Sequence, residues 1–347
     1  MRAARLTALR QPLEVMTVPD PDAVPGGVVV RVLACGVCRS DWHAWSGADS
    51  DVRLPMIPGH EYCGEVVAVG ANVSRWKIGD RVIAPFILAC GQCPDCAAGK
   101  QTICADQALP GFTQDGAFAE LISVPFADAN LTALPDSLAP EIAAALGCRV
   151  TTAWQALTGR AELKPGEWLA IFGGGGVGIS ALILGRALGA RVIVVDVQDD
   201  KLDYAMTLGA DAVINAATTD AAEAVKEITG GGADVAIEAL GLPVTTSAAM
   251  TSLRKMGRMV QIGLPTGAHA QMSLPMDVLY SGQLTRHGTR GMPSWRYPSL
   301  LNLMSGGQVD LAPLVTRTIA LSQASDELAA FDRPAPPGVA VITDFAN

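Results

Sequence analysis

The stretch that most restricts the fold runs from Trp168 to Asp196. An apolar run, Trp168–Phe172, leads directly into Gly173-Gly174-Gly175-Gly176-Val177-Gly178, and helical apolar spacing follows over Gly176–Leu188. Gly173, Gly175 and Gly178 satisfy G-x-G-x-x-G. Four glycines in a row also suit a plain flexible turn, so the pattern alone is weak. Its context is specific: it closes a strand, opens a helix, and is followed by Asp196 at the end of the next apolar strand, eighteen residues past Gly178 against about 20 in dinucleotide-binding βαβ units. The first glycine permits a tight turn, the second a close approach to a pyrophosphate, and the third close packing of helix on strand. The free N–H groups of the helix start face the phosphates. A carboxylate at Asp196 accepts hydrogen bonds from the adenosine ribose and repels a 2′-phosphate. Val197 and Gln198 bring no arginine, so the expected cofactor is NAD rather than NADP. The plainer reading of Asp196 is a strand-end residue that caps the next helix.

The pattern around this loop extends it to a domain. Strands are expected at Arg191–Asp196, Asp211–Ile214, Asp234–Ala239, Arg258–Gly263 and Leu284–Gly288. Helices are expected at Ala143–Leu157, Lys201–Leu208, Ala221–Thr229 and Thr245–Lys255. Alternation of this kind implies a doubly wound parallel sheet. Residues 1 to about 147 read differently: short β segments at Val28–Ala34, Gly64–Gly70 and Lys77–Ile83, broken by Pro and Gly, suggest a barrel-like or partly open β domain. After about Gly291 the alternation stops. Helices at Pro298–Met304 and Ala324–Phe331 and a strand at Gly338–Ile342 are expected to return to the first domain.

Eight cysteines and a net charge of −9 narrow the chemistry. Close Cys spacings in a long chain without an apolar leader point to metal and a reducing, cytoplasmic setting rather than disulfides. The acidic balance argues against nucleic acid and anionic membrane as partners, and no apolar run reaches the ~18–20 residues of a membrane span. Cys90-x2-Cys93-x2-Cys96-x7-Cys104 suits a closed, structural tetrahedral zinc, with no position left for substrate. A catalytic zinc needs three protein ligands and an open position. Cys38, His60 and Cys148 are the candidates, Cys148 lying where the β-rich part hands over to the nucleotide-binding part. Singly, each thiol reads as a small buried hydrophobe and His60 as a turn residue; together, beside the lobe and the glycine loop, they read as a ligand set. Asp41 is expected to orient His60, and Glu61 to sit behind the metal, tuning it or binding it transiently. Cys35 and Cys63 are read as core thiols.

These motifs, in this order, resemble the zinc-dependent alcohol dehydrogenases of the medium-chain dehydrogenase/reductase family over essentially the whole chain: Gly36-Val37-Cys38-Arg39-Ser40-Asp41, Gly59-His60-Glu61, the four-cysteine lobe, Gly147-Cys148, the glycine loop and Asp196. The resemblance implies a GroES-like catalytic domain, residues 1–148 with 291–347 returning to it, around a Rossmann domain at 149–290. It implies two zinc ions per chain and hydride transfer between an alcohol and NAD. Ser40 and His43 match the family's proton relay, with a surface histidine as the plainer reading of His43. Arg39 matches a residue on the cofactor pyrophosphate, Thr152 one that packs on the nicotinamide, and Lys201 one near the adenosine ribose. Trp42, Phe86 and Phe112 are candidate pocket walls, and an apolar channel favours aliphatic, allylic or aromatic alcohols over polyols. The compact length resembles tetrameric microbial members. A polyol or other carbonyl-class dehydrogenase, and a non-catalytic nucleotide-binding protein of the same fold, are the rival readings.

Overall fold

The computed structural model describes residues 1–333 and 336–347. Its centre is a six-stranded parallel sheet in the order Ala212–Asn215, Arg191–Asp196, Trp168–Phe172, Ala233–Glu238, Leu253–Gln261, Thr285–Gly288. The first strand in sequence lies in the middle, so successive crossovers run outward on one side and then on the other. The change of direction between Trp168–Phe172 and Ala233–Glu238 leaves a crevice at their carboxyl ends, where ligands of such sheets bind. The glycine loop starts there. Strands buried on both faces read as near-continuous apolar runs, and the Leu169–Phe172 and Val192–Val195 side chains are all buried.

The second sheet has seven strands. Its path is Val315–Ala320, Val339–Asp344, Val28–Gly36, Glu61–Val69, Arg81–Ile83, Thr132–Ala133, with Leu121–Val124 also on Val28–Gly36. The C-terminal strand pairs antiparallel with Cys35 and Gly36. Gly36 faces Glu61 across the antiparallel pair of long strands, so the residues that follow one strand, from Val37, and precede the other, through His60, emerge at the same edge. A short hairpin, Arg2–Arg5 with Glu14–Thr17, flanks this sheet. No helix among the described residues is long and apolar enough to cross a membrane.

Several elements differ from the sequence-based expectation. The helix expected over Ala143–Leu157 is broken: Pro140–Ala144 and Arg149–Gln155 are separate helices, and the second continues with a wider turn in which the Ala161 N–H donates to the Ala156 carbonyl at 2.8 Å. The Ala/Leu composition favours a continuous helix, but Gly147 packs so closely on the Glu61 backbone that a methyl group there would stand 2.7 Å from its Cα. The break frees Cys148 to face the β-rich unit. The helix expected over Thr245–Lys255 stops at Thr251, and a strand begins at Leu253. Met256, with φ +63°, makes an irregular turn inside that strand. Val315–Ala320 and the N-terminal hairpin are strands that the pattern does not predict.

The glycine loop also sets a packing limit. A methyl group at Gly178 would stand 1.8 Å from the Gly173 carbonyl oxygen, so Gly178→Ala must push the helix off its strand. Overpacking of this kind costs about 1–3 kcal/mol or more. The expected outcome is a lower denaturation midpoint with no change in metal content; an unchanged midpoint would show that the loop relaxes freely.

Candidate active site

Helix Arg39–Ser46 begins directly after the strand Val28–Gly36 and the short link that carries Cys38. Cys38 is its N-cap residue, and Asp41 in the first turn folds back on it. Asp41 Oδ2 accepts the Cys38 N–H at 2.9 Å. Asp41 Oδ1 accepts the Gly59 N–H at 3.1 Å and pairs with His60 Nδ1 at 2.8 Å. A carboxylate beside Nδ1 puts the proton on that nitrogen, which leaves Nε2 as a lone-pair donor. Nε2 is buried and has no hydrogen-bond partner among the described residues. Unsatisfied buried polar atoms are rare and call for a ligand.

What faces that nitrogen is a metal-binding set. Ligand atoms of Cys38, His60, Glu61 and Cys148 all lie within 4.8 Å of one another, and all four residues are buried. A hydrogen bond from Cys148, with help from Arg149 and His60, holds the Cys38 thiol well below its usual pKa despite its burial. The same contact with Cys38, and burial, push Cys148 well above. Burial opposes charge on His60, but Asp41 outweighs it and raises the imidazole pKa well above the usual range, so a proton and a metal ion compete for Nε2. Two soft sulfurs and an oriented imidazole suit zinc, and the orphaned Nε2 is what the fit requires.

Glu61, the fourth member of this set, is also gripped by a cation. Arg149 Nε donates to its two oxygens at 3.0 and 2.8 Å, the Arg149 N–H adds a third bond at 2.9 Å, and Nη2 both pairs with Glu61 and donates to the Val37 carbonyl at 2.8 Å. Burial raises the Glu61 pKa to about 7 against the pull of Arg149. Arg149 escapes a reading based on local pattern because its partners are distant in sequence. The available signal was a lone cation in an otherwise uncharged helix next to a candidate ligand.

The apolar wall comes from the β-rich unit. The Phe86 and Phe112 rings lie 5.7 and 5.3 Å from the His60 ring, and Ile87, Leu109 and Ala44 complete a cluster with Cys38 and Cys148. Trp42 does not join it, which corrects its assignment as a pocket wall. Its indole N–H donates to Asp332 at 2.9 Å, and its ring lies under Arg10 and Arg39. The reason is helical phase: Asp41 occupies the buried face, and the next residue turns to the C-terminal segment. Arg39 is on that side too, donating to the Phe331 carbonyl at 2.8 Å between the Trp42 and Phe331 rings. Ser40 and His43 share the helix with Cys38. His43 Nδ1 and the Thr152 hydroxyl are buried without partners among the described residues. Burial, then Arg39, lower the His43 pKa.

In the parallel sheet, Gly173 adopts φ +108°, a conformation that suits only glycine well. The Gly174 N–H donates to Asp196 Oδ2 at 2.7 Å, while Oδ1 accepts the Val197 and Gln198 N–H groups at 2.8 and 3.1 Å. A methyl group built on Gly175 would meet nothing within 4 Å, so the backbone is open to close approach. Gly176 and Val177 form the first turn of the helix Gly176–Ala187. The Lys201 stem lies over Gly174, its Cβ 3.4 Å from a methyl group built there.

The lobe is a separate, closed set. Sulfurs of Cys90, Cys93, Cys96 and Cys104 lie within 4.8 Å of one another. Asn130 braces the approach to it, exchanging two hydrogen bonds with Ala89 at 2.8 Å each. Backbone N–H groups, chiefly that of Gln92, lower Cys90 to about 7, and burial raises Cys96 to about 12. Cys35 and Cys63 lie outside both sets, and burial raises both thiols, Cys63 to about 12.

A β-rich unit carrying two thiolate metal sets, joined to a dinucleotide-type parallel sheet, defines a zinc-binding dehydrogenase. The alcohol dehydrogenase GroES-like domain family matches residues 24–136, and the zinc-binding dehydrogenase family matches residues 176–306. An alcohol dehydrogenase of Geobacillus stearothermophilus is 41% identical over 270 residues, 76% of this chain and 78% of that protein. A sorbitol dehydrogenase of Bacillus subtilis is 33% identical, over 94% of this chain and 92% of its own length. The alcohol dehydrogenase TADH of Thermus sp. ATN1 superposes with a TM-score of 0.90 at 30% identity, covering 99% of this chain and all of that one. The chain belongs to the zinc-dependent alcohol dehydrogenases of the medium-chain dehydrogenase/reductase family.

The two sets differ in kind, which metal analysis can test. The intact chain should carry about two zinc ions, one in a closed and one in an open site. Cys104→Ala should lose one and lower the unfolding temperature. Cys38→Ala should lose the other and abolish activity while keeping the fold. A single zinc in the intact chain, unaffected by Cys38→Ala, would refute the open site.

Proposed function

We propose that this chain oxidises an apolar primary or secondary alcohol, aliphatic, allylic or aromatic, to the aldehyde or ketone with NAD, and runs the reverse reduction. The observation that carries the reading is the unpartnered His60 Nε2 beside Cys38 and Cys148, under a wall of Phe86 and Phe112. When bound by Cys38, His60 and Cys148, zinc supplies Lewis acidity at the substrate oxygen, and NAD supplies the hydride acceptor. Everything else falls to the chain. Asp41 fixes the His60 tautomer. The apolar wall excludes water and disfavours the many hydroxyls of a polyol. Ser40 takes the alcohol's proton, and His43, on the same helix and partly exposed, passes it on towards solvent. Thr152 packs its free hydroxyl side against the nicotinamide.

The glycine loop holds the phosphates, and Arg39 joins it by giving up its bond to the Phe331 carbonyl. Asp196 and Lys201 hold the adenosine ribose; Asp196 Oδ2 keeps a lone pair beyond its bond to the Gly174 N–H. Residues 1–148 with 291–347 act as the catalytic unit and 149–290 as the cofactor unit. The working form is a cytoplasmic homotetramer, checked by light scattering.

Initial rates on graded alcohol, aldehyde and polyol panels with both cofactors test the substrate reading. A preference for NADP, or for polyols over benzyl or allyl alcohols, would sink it. Ser40→Ala should lower kcat about a hundredfold or more with little change in NAD affinity; equal losses in both would make Ser40 structural. Because burial and Arg39 hold His43 neutral, the acid limb of kcat/KM for alcohol oxidation should lie below the ordinary imidazole value of about 6.5. His43→Gln should remove that limb; an unchanged profile would take His43 out of the relay.

A further inference from the structure

The fourth glycine of the loop needs a reason of its own. Gly176 occupies an unconstrained position of G-x-G-x-x-G, where the dinucleotide pattern accepts any residue. Here a methyl group would stand 3.0 Å from Arg149 Nη1 and 3.1 Å from its Cδ. Gly176 therefore makes room for the guanidinium of a residue whose other end grips the metal-site carboxylate. Arg149 is 4% exposed. Its Nε and Nη2 are spent on Glu61 and the Val37 carbonyl, whereas Nη1 has no acceptor among the described residues. A guanidinium nitrogen left without an acceptor is a free donor, and this one lies against the first residue of a twelve-residue helix. The free N–H groups of that helix end attract an anion, and the space over Gly175 is open.

The geometry points to Arg149 as a second phosphate-binding cation: Nε and Nη2 hold Glu61, and Nη1 is presented to the diphosphate of a dinucleotide seated on the first turn of the Gly176–Ala187 helix. One planar fork thus ties the cofactor's phosphates to the carboxylate beside the zinc ligands. The inference rests on the dinucleotide reading above. It adds a residue that touches cofactor and metal site at once. A lysine would serve as a charge partner for Glu61, but its single nitrogen cannot reach both places.

The test is calorimetric binding of ADP-ribose, which carries the diphosphate, and of adenosine, which does not, to the zinc-loaded protein without substrate. Glu61→Gln leaves Arg149 in place. Glu61→Gln/Arg149→Gln removes both charges, so no unpaired carboxylate remains buried. Circular dichroism and zinc content confirm that each variant is folded. The double variant should bind ADP-ribose about tenfold or more weakly than Glu61→Gln, the worth of a charge-assisted hydrogen bond, with adenosine affinity unchanged. Arg149→Lys, which keeps a cation for Glu61, should show the same selective loss. Equal ADP-ribose affinities across the folded variants would overturn this inference alone. Failure of the unsubstituted chain to bind ADP-ribose would overturn it together with the dinucleotide reading.

Discussion

The active site depends on one buried carboxylate. Asp41 receives N–H groups from Cys38, Gly59 and His60, so a single side chain fixes two ligand-bearing segments and the tautomer of the imidazole. Backbone pairing brings these segments near each other, because Gly36 and Glu61 are in register. Pairing does not aim the side chains. Asp41 does so by sitting one helical turn after Cys38, where a carboxylate also favours the helix N-terminus. Each such bond to a charged acceptor is worth about 1.5–3 kcal/mol, and a neutral Asn would lose both that strength and the reason for protonating Nδ1. The imidazole is thereby committed to presenting Nε2 inward.

The neighbouring ion pair works on a larger scale. Glu61 comes from the β-rich sheet and Arg149 from the helix that leads to the parallel sheet, and both are buried. Burying two charges costs several kcal/mol per ion, and their attraction repays this only when the remaining donors and acceptors are satisfied. The pair is therefore better understood as a positional device than as a source of stability. It sets Cys148, the residue before Arg149, at a defined distance from His60, the residue before Glu61. The two ligands inherit their spacing from the two charges that follow them.

Sequence patterning reveals what is local and misses what is folded together. The strands Trp168–Phe172 and Arg191–Asp196 are legible to the residue because buried parallel strands are unbroken apolar runs ended by glycine or charge. The four-cysteine lobe and Cys38–Asp41 are legible because their members are close in sequence. The break at Ala145–Cys148 is not, since alanine and leucine favour helix and contacts distant in sequence interrupt it: Gly147 against the Glu61 backbone, and the Phe86 N–H and Tyr297 hydroxyl on the Gly147 and Leu146 carbonyls. Trp42 was misplaced because residue type carries no helical phase until the buried face, that of Asp41, is known. Arg149 was missed because Glu61 and Gly176, its two neighbours, lie far away in opposite directions along the chain.

That last residue bears on why one metal set is closed and the other open. The lobe is closed by stoichiometry: four sulfurs converge and nothing else competes. The set around Cys38 also has four ligand atoms within reach, the fourth being a Glu61 oxygen, so its geometry alone would allow closure. Arg149 holds both carboxylate oxygens and so competes with a metal for them. That competition is electrostatic rather than steric, and it comes from a cation that also lies against Gly176. A carboxylate left alone in that pocket would face a choice between protonation and the metal. Arg149 opposes both moves, lowering the carboxyl's affinity for a proton against the effect of burial and occupying the oxygens a metal would use.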